Sequence, residues 1–160
     1  MQLYEQAMQI HRETGNLRSQ AITLLNMGNS LHAQGEPEQA GRLLREAQTL
    51  ARNLGDRRSE AGALRALALI EAEAGRHDAA LAKANRALQL YARQHDPRGE
   101  ALARCQLALV MELAGTEPNE VETQWQQGVR ALEKLGDASE VQRMQELRRS
   151  YARQRSQARP

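Results

Sequence analysis

The side chains with the greatest capacity for catalysis in this chain are four histidines and one cysteine, and their spacing argues against a catalytic site. They are His11, His32, His77, His95 and Cys105. No two histidines stand three or four residues apart, as two metal ligands on one helical turn would. A single cysteine excludes both an intrachain disulfide and a cysteine-based zinc site. Because Cys105 stands beside Leu107 and Leu109, we expect a buried thiol rather than a nucleophile.

Glycines are the next candidates, because glycine-rich loops can bind phosphate groups. The 11 glycines are spread along the chain, and no Gly-x-Gly-x-x-Gly or Walker-type sequence occurs. The sequence therefore lacks the usual signs of nucleotide, metal or nucleophilic chemistry. We predict a protein that is not an enzyme, that needs no cofactor and that has no small-molecule substrate.

Composition favours a single helical domain. The 160 residues are rich in Ala, Leu, Gln, Glu and Arg, Phe is absent, and aromatic residues make up 2%. These residue types favour helices, and a core without large rings requires close approach of the backbones. No apolar run approaches the ~20 residues of a membrane span, and the N-terminus does not read as a secretory signal. We therefore expect a cytoplasmic protein that does not enter a membrane.

The sequence repeats with a period of forty residues. The segment GEPEQAGRLLREAQTLARNLGD, which starts at Gly35, is similar to GRHDAALAKANRALQLYARQHD, which starts at Gly75. Gly115 falls in the same column of this period. The Asp96–Pro97 pair predicts a helix N-cap followed by a first helical residue, where the missing proline N–H has no cost. Each repeat is predicted to be a pair of antiparallel helices that stacks on its neighbours.

Small residues occupy matching positions on the helix faces that must meet. Gly28, Ala68 and Ala108 share one column of the first helices, and Ala40 and Ala80 share one of the second helices. Small side chains there allow two helices to approach closely. This pattern resembles the tetratricopeptide repeat (TPR) family, in its long subclass of about forty residues per repeat. The resemblance implies an all-α fold, an αα-solenoid in which antiparallel helix pairs form a right-handed superhelix; a solenoid of HEAT type is the alternative.

The resemblance covers residues 1–150, and the register divides them. A half repeat at 1–15 precedes full repeats at about 16–55, 56–95 and 96–136, a capping helix at about 137–152 and a basic tail at 153–160 that we expect to be disordered. The half repeat is a second helix without its first, so Leu3, Ala7 and Ile10 should form an exposed apolar stripe. This predicts a fragment of a longer protein, or a homodimer formed through the N-terminal half repeat.

In the TPR family, the first helices of successive repeats line a concave groove that binds a peptide or a partner helix. The resemblance places seven residues of this chain in that groove: Asn26, Asn29, His32, Arg65, Leu69, Gln106 and Leu109. Asparagine amides can bond a peptide backbone as donor and acceptor, and Arg65 offers a guanidinium fork to a carboxylate. The resemblance thus implies a non-enzymatic module for protein–protein interaction, a scaffolding or sensory part of a larger bacterial regulator.

The arginine-rich C-terminal end suggests a different class of function. From residue 143 onwards there are six arginines and one acidic residue, whereas the preceding 142 residues hold 16 basic and 19 acidic side chains. Such an end could contact the phosphates of a nucleic acid. Tyr151 alone gives little material for base stacking. A nucleic-acid-associated helical repeat is therefore the alternative, and nucleic acid is not the expected partner.

Overall fold

Eight α-helices, and no strand, make up the part of the chain that the structure describes. The structure is a computed structural model. It describes residues 2–157, and it describes side chains for residues 2–154. The helices are α1 (Gln2–Glu13), α2 (Leu17–Ala33), α3 (Pro37–Asn53), α4 (Arg57–Glu73), α5 (His77–Arg93), α6 (Pro97–Leu113), α7 (Pro118–Lys134) and α8 (Ala138–Gln157). Helices α2 to α7 have 17 residues each, and each packs antiparallel to the next. The predicted all-α solenoid is confirmed.

The first helices, α2, α4, α6 and α8, begin at side chains that accept a backbone hydrogen bond. Asn16, Asp56 and Asp96 each accept from the N–H three residues later, at 3.1, 3.1 and 2.8 Å. Asp137 accepts more weakly from the corresponding N–H, at 3.4 Å. Each bond satisfies an N–H group that has no partner within the helix. The predicted cap at Asp96 is confirmed, and Asp56 and Asp137 cap α4 and α8 in the same way.

Helices end at residues in the left-handed backbone region, which reverses the direction of the chain. His95 has a φ of 52°, and it takes the place that glycine holds in the other repeats. The glycines with positive φ, between 65° and 80°, are Gly15, Gly35, Gly55, Gly75, Gly115 and Gly136. Glycine adopts this conformation without steric cost, and histidine tolerates it better than most residues. The short joints that follow make neighbouring helices antiparallel.

The helices of a pair approach most closely at the small residues. A Cβ atom built on Gly28 would lie 3.3 Å from the carbonyl oxygen of Ala40, which is fully buried. The predicted contact between these two residues is therefore confirmed. In the third pair the tightest place is Gly128 of α7, where a Cβ would lie 2.8 Å from the carbonyl oxygen of Ala101. Small residues thus allow close packing in a core whose buried rings, among the described residues, are Tyr91 and Trp125.

Neighbouring repeats are joined by an ion pair that recurs with the repeat. In each case an arginine in the first turn of one first helix contacts the N-cap aspartate of the next. The pairs are Arg18–Asp56 at 3.6 Å, Arg58–Asp96 at 3.1 Å and Arg98–Asp137 at 2.7 Å. The arginine spacing of forty is visible in the sequence, but the partner is not. Recurrence of one contact shows that successive units are stacked by a similar displacement.

Helix α1 leaves one side without a partner within the described residues. Met8 is buried against Leu24 of α2. Leu3 and Ile10 are 80% and 57% exposed, whereas Ala7 is half-buried. The predicted apolar stripe is therefore exposed at two of its three positions. Leu3 and Ile10 therefore present apolar surface to solvent in the part of the chain that the structure describes.

Helix α8 differs from the earlier first helices in length and in the face that it packs. It has 20 residues, so residues 153–157 of the predicted tail belong to the helix, and 158–160 lie outside the described residues. Arg148 stands in the column of Gly28. Its guanidinium lies 4.6 Å from the centre of the Trp125 ring of α7 and bonds Glu112 and Glu122 at 3.2 and 3.0 Å. These contacts hold α8 against α6 and α7.

Candidate functional site

The concave side of the solenoid contains a cavity of 720 Å³. Three of its walls are the predicted groove helices α2, α4 and α6, and the fourth wall is α8. The lining side chains include Asn29, His32, Arg65, Leu69, Glu73 and Gln106 from the first three helices, and Met144, Leu147, Ser150, Tyr151 and Gln154 from α8. The volume lies within the range of about 300–1,000 Å³ that is typical of ligand pockets. The cavity is therefore the candidate binding site.

Five of the seven predicted groove residues line this cavity, and two do not. Those that line it are Asn29, His32, Arg65, Leu69 and Gln106. Asn26 is exposed on α2, outside the lining. Leu109 is 1% exposed and lies in the same hydrophobic cluster as Met144 of α8. The position of α8 thus removes Leu109 from the accessible groove, an effect that the repeat pattern did not indicate.

Arg65 of α4 is held in place by Gln106 of α6. Its Nη1 donates a hydrogen bond to Oε1 of Gln106, and Nε2 of Gln106 donates to the carbonyl oxygen of Arg65 at 2.9 Å. Gln106 is 4% exposed, so its amide is fixed in this arrangement. Nε of Arg65 is buried without a hydrogen-bond partner. Among the described residues, no carboxylate pairs with Arg65.

Glu73 of α4 joins three helices through its carboxylate. Nε2 of His32, on α2, lies 2.7 Å from one oxygen of this carboxylate, and the hydroxyl of Tyr151, on α8, donates a hydrogen bond to the other. Burial pushes the pKa of Glu73 upward, but the hydrogen bonds from His32 and Tyr151 outweigh it and hold the pKa below its ordinary value. Burial and the adjacent carboxylate raise the pKa of Tyr151. The carboxylate is therefore ionised at neutral pH, and the phenol keeps its proton.

The repeat register indicates one partner of Glu73 but not the other. His32 and Glu73 are 41 residues apart, as are Arg65 and Gln106. That separation is about one repeat, so residues facing each other across neighbouring first helices could have been paired by register. Tyr151 and Glu73 are 78 residues apart. This contact skips α6 altogether, and a repeat register pairs only adjacent units.

The cavity combines the charge of Arg65 with amides and an apolar surface. Ala66 and Leu69 of α4 and Leu147 of α8 supply its apolar part. Cys105 is fully buried outside the lining, and burial raises its pKa to about 11, so it is not a nucleophile at neutral pH. Within residues 2–154, no group of three or more His, Cys, Asp or Glu side chains could hold a metal ion. These groups can contact a ligand through charge, hydrogen bonds and apolar surface.

The arginines of the C-terminal end are partly engaged within the fold. Arg143 pairs with Glu140 at 2.6 Å, and Arg148 contacts α6 and α7 as described above. Arg149 and Arg153 are exposed. The nucleic-acid alternative gains no specific support from this arrangement. None of the described helices is both long and apolar enough to cross a membrane.

Comparison with known proteins gives no relative from which a role could be transferred. No protein-family model matches the chain, and a search of curated proteins found no match. The TPR resemblance therefore rests on the repeat pattern of the sequence and stays a prediction. The helical solenoid and the geometry of the cavity carry the functional argument.

Proposed function

We propose that this chain is a non-enzymatic, TPR-like interaction module whose concave groove binds a segment of another protein. The observation that carries the proposal is that the guanidinium of Arg65, in the wall of the cavity, donates to Gln106 but has no carboxylate partner among the described residues. A partly buried cation without a counter-ion is unfavourable, and a bidentate carboxylate would satisfy it. Among the cavity-lining residues that the structure describes, Glu73 is the one carboxylate, and it is bonded to His32 and Tyr151. The missing anion is therefore expected from the ligand.

Other groups around the cavity fit a polypeptide ligand. Asn29 is exposed at the wall, and its amide can both donate to and accept from a peptide backbone. Leu147, which is half-buried, offers apolar surface to a side chain of the ligand. A polypeptide segment with an acidic residue satisfies all three features together. In the cell, such a module would serve as the scaffolding or sensory part of a larger cytoplasmic, bacterial-type regulator.

Selection from a phage-displayed library of random short peptides tests the proposal. We expect the enriched peptides to share an acidic residue. Arg65→Ala should weaken their binding about tenfold or more, because hydrogen bonds to a charged group contribute roughly 1.5–3 kcal/mol. Arg130→Ala is the matched control, since Arg130 is an exposed arginine of α7 that does not line the cavity. Its affinity for the same peptides should equal that of the native chain.

Two further variants separate the roles of charge and geometry. Arg65→Lys keeps the charge but loses the planar fork, so it should recover only part of the affinity. Asn29→Ala should weaken binding without lowering stability, because Asn29 is exposed. If the selected peptides bind the Arg65→Ala chain as tightly as the native chain, the groove is not the binding site.

A further inference from the structure

The phenol of Tyr151 contacts the carboxylate of Glu73, and the proposed function assigns no role to this contact. It links α8 to α4 across the concave side, and it bypasses α6, which lies between them in the stack. The N-terminal half of α8 is fixed in the core by Met144, which is 1% exposed. The later half of α8, which includes Tyr151 and Gln154, forms the fourth wall of the cavity.

The size of the cavity limits what can bind while α8 stays in place. A helix about 10 Å across that rises about 1.5 Å per residue occupies roughly 120 Å³ per residue. By that measure, the 720 Å³ of the cavity holds about six residues. A partner helix of several turns exceeds this volume, whereas a short extended segment can lie within it.

The charges of α4 specify the chemistry of such a segment. Arg65 and Glu73 both line the cavity, and they are eight positions apart on one helix, which corresponds to about 12 Å along its axis. In an extended chain, four residues span about 13 Å, and side chains four positions apart point to the same side. A segment with an acidic residue and a basic residue four positions apart matches the spacing of these two helix positions. Arg143, the other charged side chain of the lining, is paired with Glu140.

We propose that the groove binds a short extended segment with an acidic and a basic side chain four residues apart, whose basic group takes the place of Tyr151 on Glu73. This inference rests on the proposed function, because it assigns the acidic residue to Arg65. Tyr151 then acts as a competitor built into the fold. Only chains in which Tyr151 has left Glu73 can accept the basic group. The apparent affinity is therefore the intrinsic affinity multiplied by the fraction of such chains.

Isothermal titration with defined peptides tests the inference on the full chain. The probe is the capped peptide Ala-Glu-Thr-Val-Thr-Arg-Ala, and its matched forms carry Gln in place of Glu or of Arg. The native chain should bind the probe more tightly than either Gln form. Tyr151→Phe removes the competing hydroxyl and keeps the ring, so it should bind the probe about tenfold more tightly. Tyr4→Phe, on α1, is the matched control and should leave the affinity unchanged.

A variant at Glu73 tests whether this carboxylate is the group that binds the basic side chain of the probe. Glu73→Gln removes the charge that the basic group is expected to meet, so this chain should bind the probe and its Arg-to-Gln form with equal affinity. Continued discrimination between the two peptides by the Glu73→Gln chain would overturn the inference. So would an unchanged affinity of the Tyr151→Phe chain, or no binding to that chain at millimolar probe.

The same titrations separate failure of the inference from failure of the proposed function. If affinity depends on the Glu of the probe and on Arg65, but not on the Arg of the probe, the groove binds acidic segments and the assignment of Glu73 is wrong. If Arg65→Ala leaves every peptide affinity unchanged, the proposed function fails as well.

Discussion

A Cβ atom placed on Gly28 would lie 2.6 Å from Cγ of Leu44, across the contact between α2 and α3. Carbon atoms in van der Waals contact are about 3.5–4.0 Å apart, and Leu44 is fully buried. The glycine is therefore required by the packing of these two helices, and not by its own backbone conformation.

Gly28→Ala should destabilise the fold. Overpacking costs about 1–3 kcal/mol, whereas the gain in helix propensity is about 1 kcal/mol, so we expect a net loss of up to about 2 kcal/mol. Urea unfolding monitored by circular dichroism measures it. Gly41→Ala is the matched control, because a Cβ there meets only the guanidinium end of Arg45, at 3.3 Å. The control should gain stability, and an equal gain for Gly28→Ala would contradict the packing argument.

Two substitutions at Asp96 distinguish the stability that comes from its N-cap hydrogen bond from the stability that comes from its ion pair with Arg58. Asp96 accepts from the N–H of Gly99 at 2.8 Å and contacts Arg58 at 3.1 Å. Asp96→Ala should lower the free energy of unfolding by about 1 kcal/mol, because the cap is lost. Asp96→Asn keeps the cap, and the pair with the exposed Arg58 contributes only about 0–1 kcal/mol, so its effect should be smaller. Equal losses in thermal unfolding would show that the ion pair dominates.

Acid should weaken the contact between α4 and α8. The pKa of Glu73 lies below the ordinary value of 4.5, so its ionised form stabilises the native state. That contribution is present above pH 4.5 and is lost as the pH falls through the lowered pKa. We expect Glu73→Gln to be less stable than the native chain at neutral pH, with the difference shrinking in acid. Unfolding free energies measured over this pH range test it, and a constant difference would contradict it.

The exposed stripe of α1 predicts self-association. Leu3 and Ile10 are 80% and 57% exposed, and a symmetric contact is the commonest way for a soluble chain to cover such a surface. We expect the native chain to dimerise as concentration rises and the Leu3→Glu, Ile10→Glu variant to stay monomeric in sedimentation. Leu135→Glu is the control, because Leu135 is also exposed, at 47%, but lies at the end of α7. A native chain that is monomeric at high concentration rules the interface out.

The fold could be predicted because its determinants are local and repeated. Asp96 and Pro97 mark a helix start, Gly35 marks an end, and Gly28 opposite Ala40 marks a close contact. Each of these depends on the conformation or size of one residue, and the forty-residue period repeats the same information along the chain. The structure confirms all three.

The site was predicted only in part, because the repeat register does not determine how α8 packs. The TPR resemblance placed Asn29, Arg65 and Gln106 in the groove, and they line the cavity. The roles of Glu73 and Tyr151 depend on the position of α8 on the concave side, where Met144 packs in the core and Arg148 packs against Trp125. No periodic signal encodes that packing. The boundary expected at residue 152 failed for a related reason, since a run of arginines and glutamines reads as a solvated tail but also forms a helix well.

The contact that skips α6 changes how the array should unfold. In a solenoid whose units touch only their neighbours, the ends can unravel one unit at a time. The bond between Tyr151 and Glu73 closes a loop across 78 positions of the chain, so the C-terminal unit cannot detach while the middle unit keeps all its contacts. We therefore expect the C-terminal half to unfold more cooperatively than α1, which has no such tie.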